Sequence, residues 1–531
     1  MPISSHTKEL IEHYKAAHLF KKGGEEVSKI HVDEVAHRAA AFYEKVRQVV
    51  DWKEEHLMRR SAISRIMKRR FFIKKEEEIA GPLINELIRG GHFKNDSVEE
   101  LKIELVKKII HKYIYIIKNA PAEKKNRKLN FYDWIMSIAA CEVEEALEPS
   151  LKERAIIEYM YTQMKERMNI GKEALERSGI TEKDKDTQIY IAAQKALFKL
   201  DSPILMYHIL KKDYLNWDSL SQEELGEITK KIHEIRNDLN HTLDHPLGPK
   251  LYQICEKYDT PYLLLGDVIG ENSLEAEKIF ETPETVEVMV RNAYNKRLKT
   301  LKSRLNRMAF YSTLSILLTN ALSVVILEIP LTKLIIGKFN PLSIAVDILG
   351  PTALMFLLVA TIKLPKKTNI DRVVIETMKI AYEGKTKDNY EVRVPHKRGL
   401  LTNIIIGLFY LIALSISIGA VVYVFYLINF PPFSYVINIC FVALIAFAGL
   451  KIRDRSEELT VEDKKENIFS FLGDILFLPL VSMGKWLSKK WERYNFLSIL
   501  TNIIIDTPFL MVVEFLENWR SFLRERKEQI H

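Results

Sequence analysis

The chain has 531 residues, which is long enough for two or more domains that each bury a core of their own. Its mean hydropathy of -0.08 is that of an ordinary soluble protein, but this average hides a charged first part, to about residue 307, and long apolar blocks after it. The formal charge of +8 suits anionic lipid headgroups and nucleic acid equally, and three cysteines without a CxxC pair exclude a disulfide framework and a zinc knuckle.

The N-terminal half is patterned as one helix after another. Apolar residues recur at spacings of three and four in HVDEVAHRAAAFYEKVRQVV, and the same periodicity returns in LKIELVKKIIHKYIYIIKN and TQIYIAAQKALFKL. Clusters of glycine and proline separate these stretches. One stretch, TPYLLLGDVIG at 260–270, fits either a buried strand or a short core helix. We therefore predict an all-α fold, with a soluble helical bundle over residues 1–300 followed by a membrane domain over residues 301–531.

The membrane domain is predicted from its long apolar blocks. The stretch NAYNKRLKTLKSRLNR is a basic helix that leads directly into the first block. Each block approaches or exceeds the roughly 20 residues that a helix needs to cross about 30 Å of hydrocarbon. We predict four spanning helices, at residues 309–329, 341–362, 401–430 and 433–450.

The loops between these blocks predict their orientation. Those at 363–398 and 451–466 are rich in lysine and arginine, whereas those at 328–340 and 429–432 carry little charge. Short basic loops stay on the cytoplasmic side of a membrane. The sequence thus predicts two hairpins in the cell membrane, with both basic loops and the N-terminal domain on the cytoplasmic side.

Two further apolar segments follow, at 468–484 and 496–516. If each spans once, the basic cluster between them lies outside, against the positive-inside tendency. If both lie in the interface or half embedded, every basic cluster stays inside, and we favour this arrangement. In the second segment Pro508 interrupts the helical hydrogen bonds, so we expect Asp506 to be hydrated or in a polar contact.

Acidic and amide residues inside the apolar blocks are candidates for function, because burying them in hydrocarbon is costly. VDILGP loosely resembles the pore motif of the mitochondrial calcium uniporter, but Val346 and Gly350 replace the tryptophan and the glutamate that the motif needs. The ring of paired carboxylates that would hold a cation is therefore missing. The candidate intramembrane polar site consists of Asp347, Asp474, Asn502, Asp506 and Glu514.

Two motifs in the N-terminal half have both a functional and a structural interpretation. HTLDH at 241–245 resembles the HxxEH metalloprotease pattern, which makes His241 and His245 weak metal-ligand candidates, but Pro246 favours a helix end instead. MRRSAISRIMKRRFFIKK at 58–75 predicts a basic amphipathic helix, either a solvated face or a contact for anionic headgroups. The headgroup candidates are Arg59, Arg60, Arg65, Lys68, Arg69 and Arg70.

The function is predicted mainly from architecture. There is no P-loop, dinucleotide-binding glycine motif or nucleophile elbow, so we predict no cofactor, and no recognisable module argues for nucleic acid. HVDEVAHRAAAFYEK, YNKRLKTLKSRL and FLENWRSFLRERKEQIH resemble a group of bacterial multi-pass membrane proteins with a helical N-terminal half and no established activity. The resemblance implies this architecture and no mechanism.

We predict a non-enzymatic scaffold or regulatory protein whose cytoplasmic domain docks a protein partner or a second copy of the chain. The alternative is a transporter or channel that uses Asp347, Asp474, Asp506 and Glu514. A membrane enzyme that acts on lipid is a third possibility, supported by the HTLDH motif and scattered acids.

Overall fold

A computed structural model describes most of the chain. It covers residues 2–22, 28–32, 55–73, 79–122, 125–171, 180–335, 341–362, 364–382, 389–392, 399–427, 432–461 and 468–493, with Phe515, Trp519, Phe522, Leu523 and Arg526. Within these residues the fold is all-α, as predicted, and the sheet found there has two strands of two residues each.

The structure divides into two compact units. The first consists of residues 1–290, 374–395 and 504–531, the last of which falls largely outside the described residues, and the second of residues 291–373 and 396–503. The helices of the first unit are α1 Ser5–Lys22, α2 Glu55–Ile73, α3 Ala80–Arg89, α4 Lys102–Asn119, α5 Lys125–Leu147, α6 Leu151–Arg167, α7 Glu182–Phe198, α8 Ser202–Asp213, α9 Gln222–Leu243, α10 Gly248–Lys257, α11 Asp259–Glu271 and α12 Ala276–Phe280.

The periodicity of the sequence accounts for how these helices pack. In α4 the residues Val106, Ile109, Ile110 and Tyr113 recur on one face, and all four are buried. Each fully buried aliphatic side chain of this kind contributes about 1.5–3 kcal/mol. Helices α2 to α5, α8 and α9 place their apolar faces in one continuous core.

The stretch at 260–270 is a helix rather than a strand. It forms most of α11, where Leu264, Leu265, Val268 and Ile269 are buried. A Cβ atom at Gly266 would collide with the side chain of Ile156 in α6, so glycine allows the two helices to approach closely. The alternative that the sequence left open is thereby settled by packing against α6.

The first unit includes a segment from far along the chain. The backbone N–H of Ser4 donates to the carbonyl of Ala381 at 3.1 Å, and Ile3 forms an antiparallel bridge with Tyr382. Strand β1, Met168–Asn169, pairs in parallel with strand β2, Tyr390–Glu391. The sequence-based division placed everything beyond about residue 300 in the membrane domain. In the structure, residues 374–395 belong to the first unit instead.

The second unit contains the apolar helices. Its elements are α13 Pro283–Ser323, which starts in the first unit, a π-helical turn Val324–Glu328, α14 Ile329–Ile335, α15 Pro341–Ala360, α16 Asn369–Ala381, which ends in the first unit, α17 Leu400–Leu427, α18 Pro432–Ser456 and α19 Ile468–Arg493.

Three described helices are long and apolar enough to cross a membrane: Pro283–Ile326, Leu400–Leu427 and Tyr435–Ser456. They correspond to the first, third and fourth predicted spans. The predicted second span is the helix Pro341–Ala360, whose described apolar part, Asp347–Ala360, is shorter. The predicted segment 468–484 lies in α19, and 496–516 falls outside the described residues except for Phe515.

Candidate functional site

Asp347 is the predicted intramembrane acid that the structure places, and it is 3% exposed. It lies in α15 four residues before Pro351, which is inside the same helix. In a regular helix the carbonyl of residue 347 accepts a hydrogen bond from the N–H of residue 351. Proline has no N–H to donate, so the carbonyl of Asp347 loses its intrahelical donor.

Two other helices supply amide groups to Asp347. The side-chain Nδ2 of Asn320 in α13 donates to the carbonyl of Asp347. The Nδ2 of Asn438 in α18 donates to the carboxylate Oδ1 of Asp347 at 2.9 Å. Asn320 and Asn438 are 1% and 3% exposed. We call these three residues the Asp347 junction, because three helices of the second unit meet there.

The junction can hold helices together because it satisfies polar groups that apolar surroundings cannot. A buried carbonyl left without a donor costs about 1–3 kcal/mol, and prolines in membrane helices are tolerated where a neighbouring helix supplies the missing hydrogen bond. The carboxylate is also a group that could take up a proton or a cation. Both the structural and the ionic chemistry therefore remain available at Asp347.

A polar side chain also lies close to Pro479, which is inside α19. The hydroxyl of Ser417 in α17 is within hydrogen-bond distance of the carbonyl of Leu476, three residues before this proline, and of the carbonyl of Ala413 in its own helix. A Cβ atom at Gly484 would collide with the backbone carbonyl of Ala443 in α18. Small residues and polar side chains at interfaces are typical of helices that pack inside a membrane.

The buried side chain of another asparagine connects the two basic loops. Asn369, at the start of α16, is fully buried, and its Nδ2 donates to the carbonyl of Leu459 at 2.6 Å and to the hydroxyl of Tyr294 at 3.0 Å. Its Oδ1 accepts from the N–H of Val461 at 3.1 Å. The side chain thus joins the 363–398 loop, the 451–466 loop and α13.

Two ion pairs strengthen the same region. Arg291 contacts Asp371 at 2.7 Å, and Arg304 lies 3.7 Å from Glu458. These pairs are partly exposed, so each contributes at most about 1 kcal/mol. The buried Asn369 is the more specific connection, because both of its polar atoms have partners.

The predicted basic helix is α2, and its cations face carboxylates of the first unit. Ile63, Ile66 and Met67 are buried in the core. The cationic contacts are Arg59 with Glu148, Arg60 with Asp201, Lys68 with Asp133, and both Arg69 and Arg70 with Glu86, while Arg65 is half-buried. A role in headgroup binding stays a prediction for these six residues. The buried carboxylate of Glu86, which two arginines share, was not singled out from the sequence.

The two histidines of HTLDH are placed at a helix end. His241 is exposed in the last turn of α9, and the Nδ1 of His245 accepts the backbone N–H of Leu247 at 3.3 Å. No group of three or more histidine, cysteine or acidic side chains suited to a metal ion occurs among the described residues. Metal binding by this pair stays a prediction.

A buried ionic network in the first unit was missed by the sequence analysis. The carboxylate of Glu142 accepts from Lys112 Nζ at 2.6 Å, from the hydroxyl of Tyr113 at 2.6 Å and from Trp217 Nε1 at 3.0 Å. Burial lowers the pKa of Lys112 and raises that of Tyr113. The network fastens α4 and α5 to the short turn at Trp217. In the sequence, the only sign of it is that Glu142 directly follows the apolar run IAAC.

The remaining predicted polar residues are not brought to the Asp347 junction by the described structure. Asp474 lies on α19, where only its backbone is described. Asn502, Asp506 and Glu514 fall outside the described residues, as does Pro508. Asn320 and Asn438 were overlooked, although an asparagine inside a long apolar block is a recognisable signal for an interhelical contact.

Comparison of the chain with protein-family models, with curated proteins and with solved structures found no significant match.

Proposed function

We propose that the chain is a multi-pass membrane scaffold whose helical N-terminal domain lies in the cytoplasm and docks a protein partner. The membrane part of this proposal is supported by the three helices that are long and apolar enough to span a bilayer. Of the most apolar 18-residue stretch of Leu400–Leu427, only 11% is buried against the rest of the protein, so most of this apolar surface needs an apolar environment.

The orientation is supported by the contacts of the basic loops. Asn369 of the 363–398 loop forms hydrogen bonds with the 451–466 loop. Such contacts require both loops to lie on the same side of the membrane. Residues 374–395 of the first loop also belong to the first unit. An orientation that keeps both basic loops inside therefore keeps the N-terminal domain inside as well.

One observation supports the scaffold function. Asp347 accepts hydrogen bonds from side-chain amides of two other helices, one on its carbonyl and one on its carboxylate. The most unusual residue of the apolar helices is thus used to fasten them. In the first unit the buried Glu142 and Glu86 likewise connect helices. Rigid helices built in this way suit the display of a docking surface.

Orientation is tested by labelling single cysteines with a membrane-impermeant thiol reagent in intact cells. Cysteines in the 328–340 loop should react from outside, and cysteines in the 363–398 loop should react only after the membrane is opened. Reaction of both loops from the same side would refute the two hairpins.

Docking is tested by purifying the full chain in mild detergent after cross-linking in cells. We expect a stoichiometric complex with a protein partner or with a second copy. A chain that is monomeric and free of cross-linked partners, and that mediates solute flux, would refute the scaffold.

A transporter or channel is the second candidate, and the buried carboxylate of Asp347 is the observation that favours it. Asp347→Asn separates the two functions, because the amide oxygen can still accept from Asn438 while the charge is removed. For a scaffold we expect unchanged partner binding and no flux in proteoliposomes before or after the substitution. Flux that is present in the wild type and abolished in this variant, with stability unchanged, would favour transport.

A further inference from the structure

The part of α13 that enters the apolar helices has two different faces. One face packs inward, with Leu301, Leu305 and Ser312 buried. The opposite face is exposed along its whole length, at the spacing of three and four residues that one side of a helix requires. We call this face the outer stripe, and its residues are Lys299, Lys302, Ser303, Asn306, Arg307, Phe310 and Tyr311.

The chemistry of the outer stripe changes in a fixed order along the helix. Three cations come first, and Phe310 and Tyr311 follow, with their rings in edge-to-face contact at 5.7 Å. The exposed face then continues with Leu318 and Leu322, which are 58% and 47% exposed. At about 1.5 Å per residue, the first lysine lies roughly 16 Å from Phe310. This order of charge, aromatic ring and aliphatic chain matches the depth profile of one bilayer leaflet.

The outer stripe is an open surface on one helix, so a ligand can reach all of its side chains at once. The hydroxyl of Ser303 and the amide of Asn306 lie among the cations and can donate hydrogen bonds to phosphate oxygens. The outer stripe therefore offers positive charge and neutral hydrogen-bond donors together.

We propose that the outer stripe binds one anionic phospholipid, with its phosphate at Lys299, Lys302 and Arg307 and its acyl chains along Phe310 and the leucines beyond. This inference rests on the proposed function in one respect, namely that α13 crosses the bilayer. It adds the chemistry of the ligand and the residues that hold it.

The outer stripe suits this ligand better than the basic helix α2. The cations of α2 contact carboxylates such as Glu86, Glu148 and Asp201 inside the first unit. On the inner face of α13, Arg304 faces Glu458. Lys299 and Lys302 instead lie exposed on the outer stripe, between two and about three helical turns before its aromatic rings and the apolar helix face. Anionic lipid thus complements the stripe in charge and in polarity.

The test is a lipid titration of the full chain in neutral detergent, followed by native mass spectrometry, with phosphatidylglycerol and phosphatidylcholine as the probes. We expect the wild type to bind the first phosphatidylglycerol molecule more tightly than the first phosphatidylcholine molecule. Because each basic residue near an anionic surface strengthens the attraction several-fold, Lys299→Gln, Lys302→Gln and Arg307→Gln together should weaken phosphatidylglycerol binding by at least about tenfold. Binding of phosphatidylcholine should not change.

A matched variant controls for net charge. Lys230, Lys231 and Lys250 are exposed lysines of the first unit, and their replacement by glutamine removes the same three charges. We expect this variant to bind phosphatidylglycerol like the wild type. Equal losses in both triple variants, or no loss in the stripe variant, would overturn the site. Displacement of the lipid by glycerol phosphate in excess would overturn lipid as the occupant.

Failure of the lipid site and failure of the proposed function are distinguished by flotation with liposomes. A chain that floats with phosphatidylcholine liposomes but shows no preference for phosphatidylglycerol contradicts only the lipid site. A chain that does not float at all contradicts the membrane function and the lipid site together.

Discussion

Replacing Asn320 by leucine should leave the carbonyl of Asp347 without a hydrogen-bond donor, because Pro351 in α15 cannot supply one. Leucine has the same number of side-chain heavy atoms as asparagine, branched at the same carbon, so the substitution mainly removes the amide that donates to the carbonyl of Asp347. That carbonyl cannot recover an intrahelical bond, because residue 351 has no N–H. An orphaned buried acceptor costs about 1–3 kcal/mol, and interhelical hydrogen bonds measured in membranes are worth about 0.6 kcal/mol on average and up to about 1.7. We expect a loss of roughly 1 kcal/mol in the free energy of unfolding.

The cause of this loss can be isolated by restoring the missing donor. In a Pro351→Ala background the N–H of residue 351 can donate to the carbonyl of Asp347, so Asn320→Leu should cost close to nothing. The double-mutant cycle should therefore give a coupling energy of about 1 kcal/mol, which exceeds the 0.3–0.5 kcal/mol expected for independent sites.

The assay is reversible unfolding of the full chain in mixed micelles with increasing dodecyl sulfate, followed by thiol labelling of Cys440 in α18. Cys141 and Cys255 are replaced by alanine in all variants so that only the second unit reports. The control is Asn438→Leu, which removes a bond to the carboxylate rather than to the carbonyl, and Pro351→Ala should not rescue it. Equal costs of Asn320→Leu in both backgrounds would refute the explanation.

Three further predictions concern packing and buried charge. Gly484→Ala should destabilise the second unit by about 2 kcal/mol in thermal unfolding in detergent, because the added Cβ meets the carbonyl of Ala443. Gly473→Ala in the same helix adds a Cβ into open space and should stabilise the unit slightly. Burial and two nearby cations lower the pKa of His208 from 6.5 to about 4, so on acidification the unfolded state takes up a proton before the folded state does, and the free energy of unfolding falls between about pH 6.5 and pH 4. The variant His208→Gln should lose up to about 3 kcal/mol less over that range in denaturant titrations, and identical pH profiles of the two proteins would contradict this. Glu142→Gln removes the counter-charge of a buried ammonium and should cost about 3 kcal/mol in urea unfolding of the first unit, and a loss below about 1 kcal/mol would show that the ion pair matters little.

The sequence predicted most of the helices because their signal is local. Periodicity of three and four identified the bundle, and block length with hydropathy identified the three helices able to cross a membrane. The interpretation of 260–270 stayed open because a short apolar run has no periodicity of its own, and only contact with α6 decides it. The helix of α2 was predicted, but carboxylates that its cations face, such as Glu148 and Asp201, are distant in the sequence.

The Asp347 junction was only partly predictable for the same reason. The acid stood out because charge is rare in an apolar block, and the proline four residues later was visible as well. Which side chain would serve the freed carbonyl depends on how three helices pack, and that information is not local. Asn320 and Asn438 therefore emerged only from the structure.

The pairing of the first unit with residues 374–395 imposes an order on folding. The hydroxyl of Tyr159 donates to the carbonyl of Ile380, 221 residues later, and Tyr382 is buried against Phe280. During synthesis the ribosome must produce α13 and α15 before the chain that completes this core exists. Contacts so distant in sequence carry a large loop-closure cost and form late. The core of the first unit is therefore completed only after residues 374–395 have been made, and a fragment that stops near residue 300 would lack part of that core.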